Sequence, residues 1–269
     1  MEQPLSEDYS AQKDGWLNNT LWVVETYDLN QIASPRYSNK YTRTIQFIWR
    51  IFACLSLLGL LIAGLIYSES IDMFKAFTIW SLTLTSISFG LMLSNTFANP
   101  NNETQSSKFL WKISLLVFTI ILTAEVIVTV VFWALLYSKE NDPGHIFDNV
   151  DRFNLRSFHI LPLLYLVIDF LTNNWILVYS HSIFIVAYIL IYGIFNFAWV
   201  MISGNYIYPI LTWKDVLTYL YAFGIVIAVL LIHIFMTWLS RKLHSPVVHR
   251  TATLNSQYPT HSTTERVRE

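Results

Sequence analysis

The sequence predicts an all-α membrane protein, a bundle of six transmembrane helices. Six long apolar stretches begin near Phe47, Ala76, Ile113, Phe158, Ile176 and Val216. Most run for about 20 residues, the length that crosses a hydrocarbon core of roughly 30 Å. Hydrophobic residues make up 54% of the 269-residue chain and charged residues only 13%. A water-soluble fold would need a core too large for the remaining polar surface to cover. A β-barrel also satisfies its backbone in lipid, but it needs short alternating strands. The stretch from Leu115 to Leu136 is continuously apolar and does not alternate.

In chain order, residues 1–44 read as a polar, cytosolic N-terminal arm. They leave no cleavable signal peptide, so the first span acts as an uncleaved insertion signal. Within the arm, Trp16, Leu17, Leu21, Trp22 and Tyr27 form either a short interfacial helix or a loop with loose aromatics. The six-span domain covers 45–240. Trp49, Tyr67, Trp111, Trp133, Tyr137, Trp175, Trp199, Tyr206 and Tyr208 lie toward span ends, as aromatic belts do. Only a few residues around Asn173 and Asn174 join spans four and five, which predicts an antiparallel hairpin. No internal repeat of the kind found in many transporters stands out. The segment 241–269, rich in Ser, Thr, His and Arg without apolar periodicity, reads as a disordered cytosolic tail.

Charge sets the orientation. An even number of spans puts both termini on one side. That side collects Lys13, Arg36, Lys40, Arg43, Lys108, Lys112, Arg241, Lys242, Arg250, Arg266 and Arg268, against Lys75, Lys139, Arg152, Arg156 and Lys214 opposite. Positive residues favour the cytosol, so both termini are expected there, in an endomembrane or the plasma membrane. The sequons at Asn18 and Asn102 would then stay unglycosylated, and the loop carrying Glu140, Asp142, Asp148 and Asp151 would face outward or into a lumen. The lone Cys54 excludes an intrachain disulfide. No arginine–aromatic interleaving points to nucleic acid, and membrane lipid is the expected partner.

Ionisable residues inside spans are costly and each needs a reason. Arg50 near the inner end of span one is expected to snorkel to the surface. Glu125, at mid-depth of span three, is either a hydrogen-bonded structural residue or a lipid or proton site. Asp169 lies ten residues after His159 in span four, about 15 Å deeper, too far to orient it. Asp169, His181 and His233 are placed to meet as a polar cluster near the inner side. No His-x-x-x-His or Glu-x-x-His spacing supports metal or haem, and no cofactor is expected.

At the outer ends, three segments bring Thr78, His159 and Tyr208 to similar depth. A threonine hydroxyl becomes a nucleophile when a base takes its proton, and a neutral histidine is the usual base. The plainer alternative is a threonine bonded to its own helix and an interfacial histidine.

Four segments, Lys75 to Trp80, Phe132 to Tyr137, His159 with Asp169, and Gly204 to Pro209, together resemble the androgen-induced family of six-span proteins and the related rolling stone-like proteins. Lys75-Ala-Phe-Thr78-Ile-Trp80 resembles the family's Lys-aromatic-Leu-Thr start of a span, in the rolling stone-like Thr-x-Trp form. Phe132-Trp133 through Tyr137 resembles its Phe-Trp-x-x-Tyr span end, with one residue more between Trp133 and Tyr137. His159 followed by Asp169 resembles its His-x9-Asp/Glu segment, and Gly204 through Tyr208-Pro209 its Gly-x-x-x-Tyr-Pro turn. The match runs in order from Phe74 to Trp213. It departs where the hydrolases have a threonine after the histidine, since Ile160 stands there. The resemblance implies a threonine hydrolase of fatty acid esters of hydroxy fatty acids, with Thr78 as nucleophile and His159 as base, and a fatty-acyl ester as substrate. Tyr208 is the candidate for an oxyanion or substrate contact. The rolling stone-like features imply instead a non-enzymatic membrane interaction protein. A channel or transporter using Glu125 and the Asp169 cluster is the third reading.

Overall fold

The computed structural model describes residues 40–67, 74–97, 105–137 and 149–257. Among them the structure is helical, in the order α1 (Lys40–Tyr67), α2 (Phe77–Phe97), α3 (Gln105–Val131), α4 (Asn149–Thr172), α5 (Ser182–Ser203) and α6 (Val216–Gln257). The aromatic stretch at 16–28, the sequons at Asn18 and Asn102, the acidic residues Glu140, Asp142 and Asp148, and the tail past Gln257 lie outside the described residues.

Among the described residues, five segments are long and apolar enough to cross a membrane: Thr44–Ile66, Phe77–Asn95, Phe109–Leu136, Tyr179–Ser203 and Val216–His244. This is the pattern of a multi-pass membrane protein, because only a helix satisfies every backbone group within its own segment in lipid. α4 stands apart from those five. Its 24 residues include Pro162, and its buried polar residues include His159 and Asp169. It packs against α1, α2 and α3.

The apolar windows of α2 and α3 are 56% and 61% buried, against 22%, 28% and 22% for α1, α5 and α6. α2 and α3 are therefore the central pair and the others surround them. Leu82, Phe89 and Met92 of α2 meet Phe118, Ile121 and Leu122 of α3 in a fully buried core. Polar residues in the spans turn their hydroxyls onto their own helices: Thr83, Thr85 and Ser86 each bond the carbonyl four residues back. Such back-bonding lets a hydroxyl sit in an apolar bundle without an unpaired donor.

Arg50 departs from expectation. It does not snorkel; it is buried, with Nε 3.1 Å from Asp169 Oδ1 and Nη2 3.4 Å from Oδ2. Its guanidinium also donates to the Met92 carbonyl at 3.2 Å and to Asn173 Oδ1 at 3.0 Å. Asn173 in turn donates to Asp169 and accepts from Gln46. The C-terminal end of α4 presents a carboxylate at the level of Arg50, and a planar guanidinium matches it with two donors. That pairing ties α1 to α4.

The link between α4 and α5 also differs. The helix does not resume at Ile176. Residues 173–178 run non-helically and buried, and a 3₁₀ turn at Tyr179–His181 precedes α5. Their backbone groups find partners in α6: the Leu177 amide donates to Ser240 Oγ at 3.0 Å, and the Val178 carbonyl accepts from His233 Nε2 at 3.1 Å. Trp175, expected in an aromatic belt, is 1% exposed and packs on Phe118 and Trp111. With the link filling this space, α4 packs on α1, α2 and α3, while α5 packs on α3 and α6, rather than forming a side-by-side hairpin.

α6 begins on a side-chain cap. Asp215 Oδ1 accepts the Thr218 amide at 2.9 Å, and this bond holds the carboxyl below its ordinary range. The helix continues past Ser240 to Gln257, through the first part of the segment 241–269 for which the sequence predicts a disordered tail.

Candidate functional site

Thr78 lies in the first turn of α2, where backbone amides have no intrahelical acceptor. The Phe77 amide donates instead to Tyr208 Oη at 2.9 Å. Trp80 pins the turn by donating from Nε1 to the Phe74 carbonyl at 2.7 Å. Ser81 Oγ donates to the Thr78 carbonyl at 3.1 Å. The Thr78 hydroxyl is left to reach across the bundle, and Oγ1 stands 3.1 Å from His159 Nε2.

His159 is held from two sides. Its ring stacks on Phe132, with centroids 3.7 Å apart and planes 10° from parallel. Phe132 opens the π-helical turn Phe132–Leu136 that widens the end of α3, a distortion that often accompanies functional positions. The His159 carbonyl takes the Thr129 hydroxyl at 2.7 Å. Both Thr78 and His159 are buried.

Tyr208 arrives from the turn after α5. Gly204 ends that helix at φ +72°, a left-handed conformation suited to glycine, with its amide bonded to the Val200 carbonyl at 2.9 Å. Trp213 then takes φ +58°, a strained choice for a bulky residue costing roughly 1–3 kcal/mol. Its Nε1 donates to the buried Asn196 Oδ1 at 2.7 Å, which anchors the turn onto α5. The Tyr208 hydroxyl also lies beside those of Thr78 and Tyr192, and burial raises its pKa above the ordinary range, so it stays a protonated donor. Tyr192 Oη donates to the Lys75 carbonyl at 2.9 Å, closing the roof over the start of α2.

These groups form the polar end of a cavity of about 340 Å³. Thr78, His159, Tyr192 and Tyr208 sit at that end, and aliphatic and aromatic residues of α3 and its π-helical turn, of α5 and α6, and of the turn between them make most of the remaining walls. A hydroxyl in reach of an imidazole, next to a phenol, at the end of an apolar chamber can perform nucleophilic chemistry on a molecule with one polar centre and a greasy body.

Of the sequence candidates, Thr78, His159 and Tyr208 come together. Asp169, His181 and His233 do not form the expected cluster. Asp169 is taken by Arg50 and Asn173. His181 Nδ1 lies 3.4 Å from Thr119 Oγ1, and His233 bonds the Val178 carbonyl. Arg50 is the reason: it draws Asp169 toward α1 and away from the histidines. Glu125 is fully buried, with Oε1 accepting the Thr85 hydroxyl at 3.1 Å. Among the described residues, no group of three His, Cys, Asp or Glu is placed to hold a metal.

Sequence reasoning missed the supporting residues Thr129, Tyr192 and Asn196, and read Phe132 only as part of a motif. A signal existed for two of them. Tyr188, Tyr192 and Asn196 recur at four-residue spacing in an otherwise apolar helix, which marks an inward face. In comparisons with protein-family models, curated proteins and solved structures, nothing matches this chain.

Proposed function

We propose that this is a six-span membrane hydrolase of lipid esters, with Thr78 as nucleophile and His159 as general base. The observation that carries the reading is the 3.1 Å contact between Thr78 Oγ1 and His159 Nε2 at the polar end of an apolar cavity. The resemblance to the androgen-induced family adds the substrate class, fatty acid esters of hydroxy fatty acids.

In the tautomer protonated on Nδ1, His159 accepts the Thr78 proton as Oγ1 attacks the acyl carbonyl. The tetrahedral oxyanion takes a hydrogen bond from Tyr208, whose oxygen already accepts the Phe77 amide and is thereby a better donor. The imidazolium returns its proton to the departing hydroxy acid, leaving a threonyl ester. Water then attacks that ester, giving its proton to His159. The fatty acid leaves, and the proton passes back to Thr78. Phe132 fixes the imidazole plane by stacking, and the Thr129 bond fixes the backbone beneath it.

The test is purified full-length protein acting on a fatty acid ester of a hydroxy fatty acid, run beside a hydroxyl-directed fluorophosphonate probe. Release of both acids and probe labelling at Thr78 are expected. A purified, folded protein with no turnover and no labelling would favour the rolling stone-like interaction protein.

α4 is read as the sixth span, buried among its neighbours, with both termini cytosolic. The distribution of Lys and Arg supports this orientation. A sequon engineered near Asn149 is expected to be glycosylated, and Asn18 and Asn102 are expected to remain bare. Glycan on either native site would break the assignment.

A further inference from the structure

Three α5 residues that wall the cavity, Leu190, Ile194 and Phe197, are also 49%, 68% and 40% exposed. A residue that faces both the chamber and the outside marks an opening. Here the outside belongs to a segment long and apolar enough to cross a membrane, so the opening faces hydrocarbon. Between these residues stands Gly193, another wall residue. A Cβ built there would meet nothing within 4 Å. Glycine weakens a helix interior relative to alanine. At Gly193 neither a left-handed backbone nor a close neighbour accounts for it. The space itself is what the missing side chain provides. On the facing wall, α6 contributes the small Ala222.

We infer that the cavity is a lateral portal for one unbranched fatty-acyl chain arriving from the bilayer between α5 and α6, and that Gly193 sets the chain length it admits. The walls beyond the polar end are apolar, which suits a plain hydrocarbon chain. The volume of about 340 Å³ is near the low end for small-molecule sites, roughly 300–1,000 Å³, and suits one chain better than two. The inference rests on the hydrolase reading for the reaction at the polar end, whereas binding of the chain is measured separately.

The experiment uses purified full-length protein and a dansyl-labelled fatty acid, displaced by butyrate, octanoate, palmitate and a diacyl phosphatidylcholine. Wild-type affinity should rise with acyl length, and palmitate should displace better than the diacyl lipid. Gly193→Leu should weaken palmitate about tenfold or more by filling the channel, while leaving octanoate within about twofold. Ala222→Leu should do the same from the opposite wall, which guards against a misfolded first variant. Gly224→Leu, an equally open glycine outside the cavity, should change nothing. Palmitate binding that is unchanged in both wall variants, or no better than the diacyl lipid, would overturn the inference. Chain-length-dependent binding lost in Gly193→Leu, in a protein that hydrolyses nothing, would sink the hydrolase reading and leave the portal standing. Hydrolysis of a short acetyl ester with no change in palmitate binding in either wall variant would do the reverse.

Discussion

Thr78→Val is expected to abolish the proposed ester hydrolysis, because it keeps the side chain's shape and removes only the oxygen proposed to attack. The loss should be about 10³-fold or more in kcat/KM, the scale on which nucleophile–base units fail. His159→Ala should fall as far, and the double variant no further, since the pair acts as one unit. Thr78→Ser should retain some turnover. Structure should survive in each case. Breaking the 3.1 Å contact strands one buried partner, a cost of about 1–3 kcal/mol, within reach of a stable bundle. Unfolding midpoints measured beside the kinetics separate the two effects. Wild-type turnover in purified Thr78→Val protein would eliminate the threonine mechanism.

Asp169→Leu should damage the fold rather than the chemistry. It leaves Arg50 buried without its carboxylate, and it releases Asn173 from the same network. Removing one partner of a buried ion pair typically costs about 3–5 kcal/mol. Arg50→Met combined with Asp169→Leu should recover most of that loss, because replacing both charges with apolar groups removes the stranded cation. Thermal unfolding in detergent reads both variants. Asp169→Leu protein of normal yield and midpoint that lost only turnover would place Asp169 in the catalytic apparatus instead.

Both predictions lean on facts of different legibility. The membrane-spanning helices are local properties. A run of apolar residues of sufficient length carries its own instruction, because lipid accepts only a segment whose backbone bonds close within itself. Depth follows from rise per residue, which sets Thr78, His159 and Tyr208 at one level and Asp169 far from His159 without reference to any contact.

Contacts across the bundle are another matter. Helix rotation decides which side chains meet, and a stretch apolar all round carries little rotational signal. Arg50 therefore read as a snorkelling residue, although it faces inward onto Asp169. Trp175 read as a belt aromatic, although the link around it folds into the core. Residues 176–178 read as the start of a span, because burial in protein and burial in lipid demand the same apolar composition. The stack of Phe132 on His159, the strained Trp213 held by Asn196, and the space over Gly193 each join segments far apart in the chain. Apolar helices suited to crossing a membrane, and the depth of the candidate residues along them, are legible in the order of residues alone. Only the tertiary structure decided which faces turn inward, since that choice depends on how six helices fill one another's gaps.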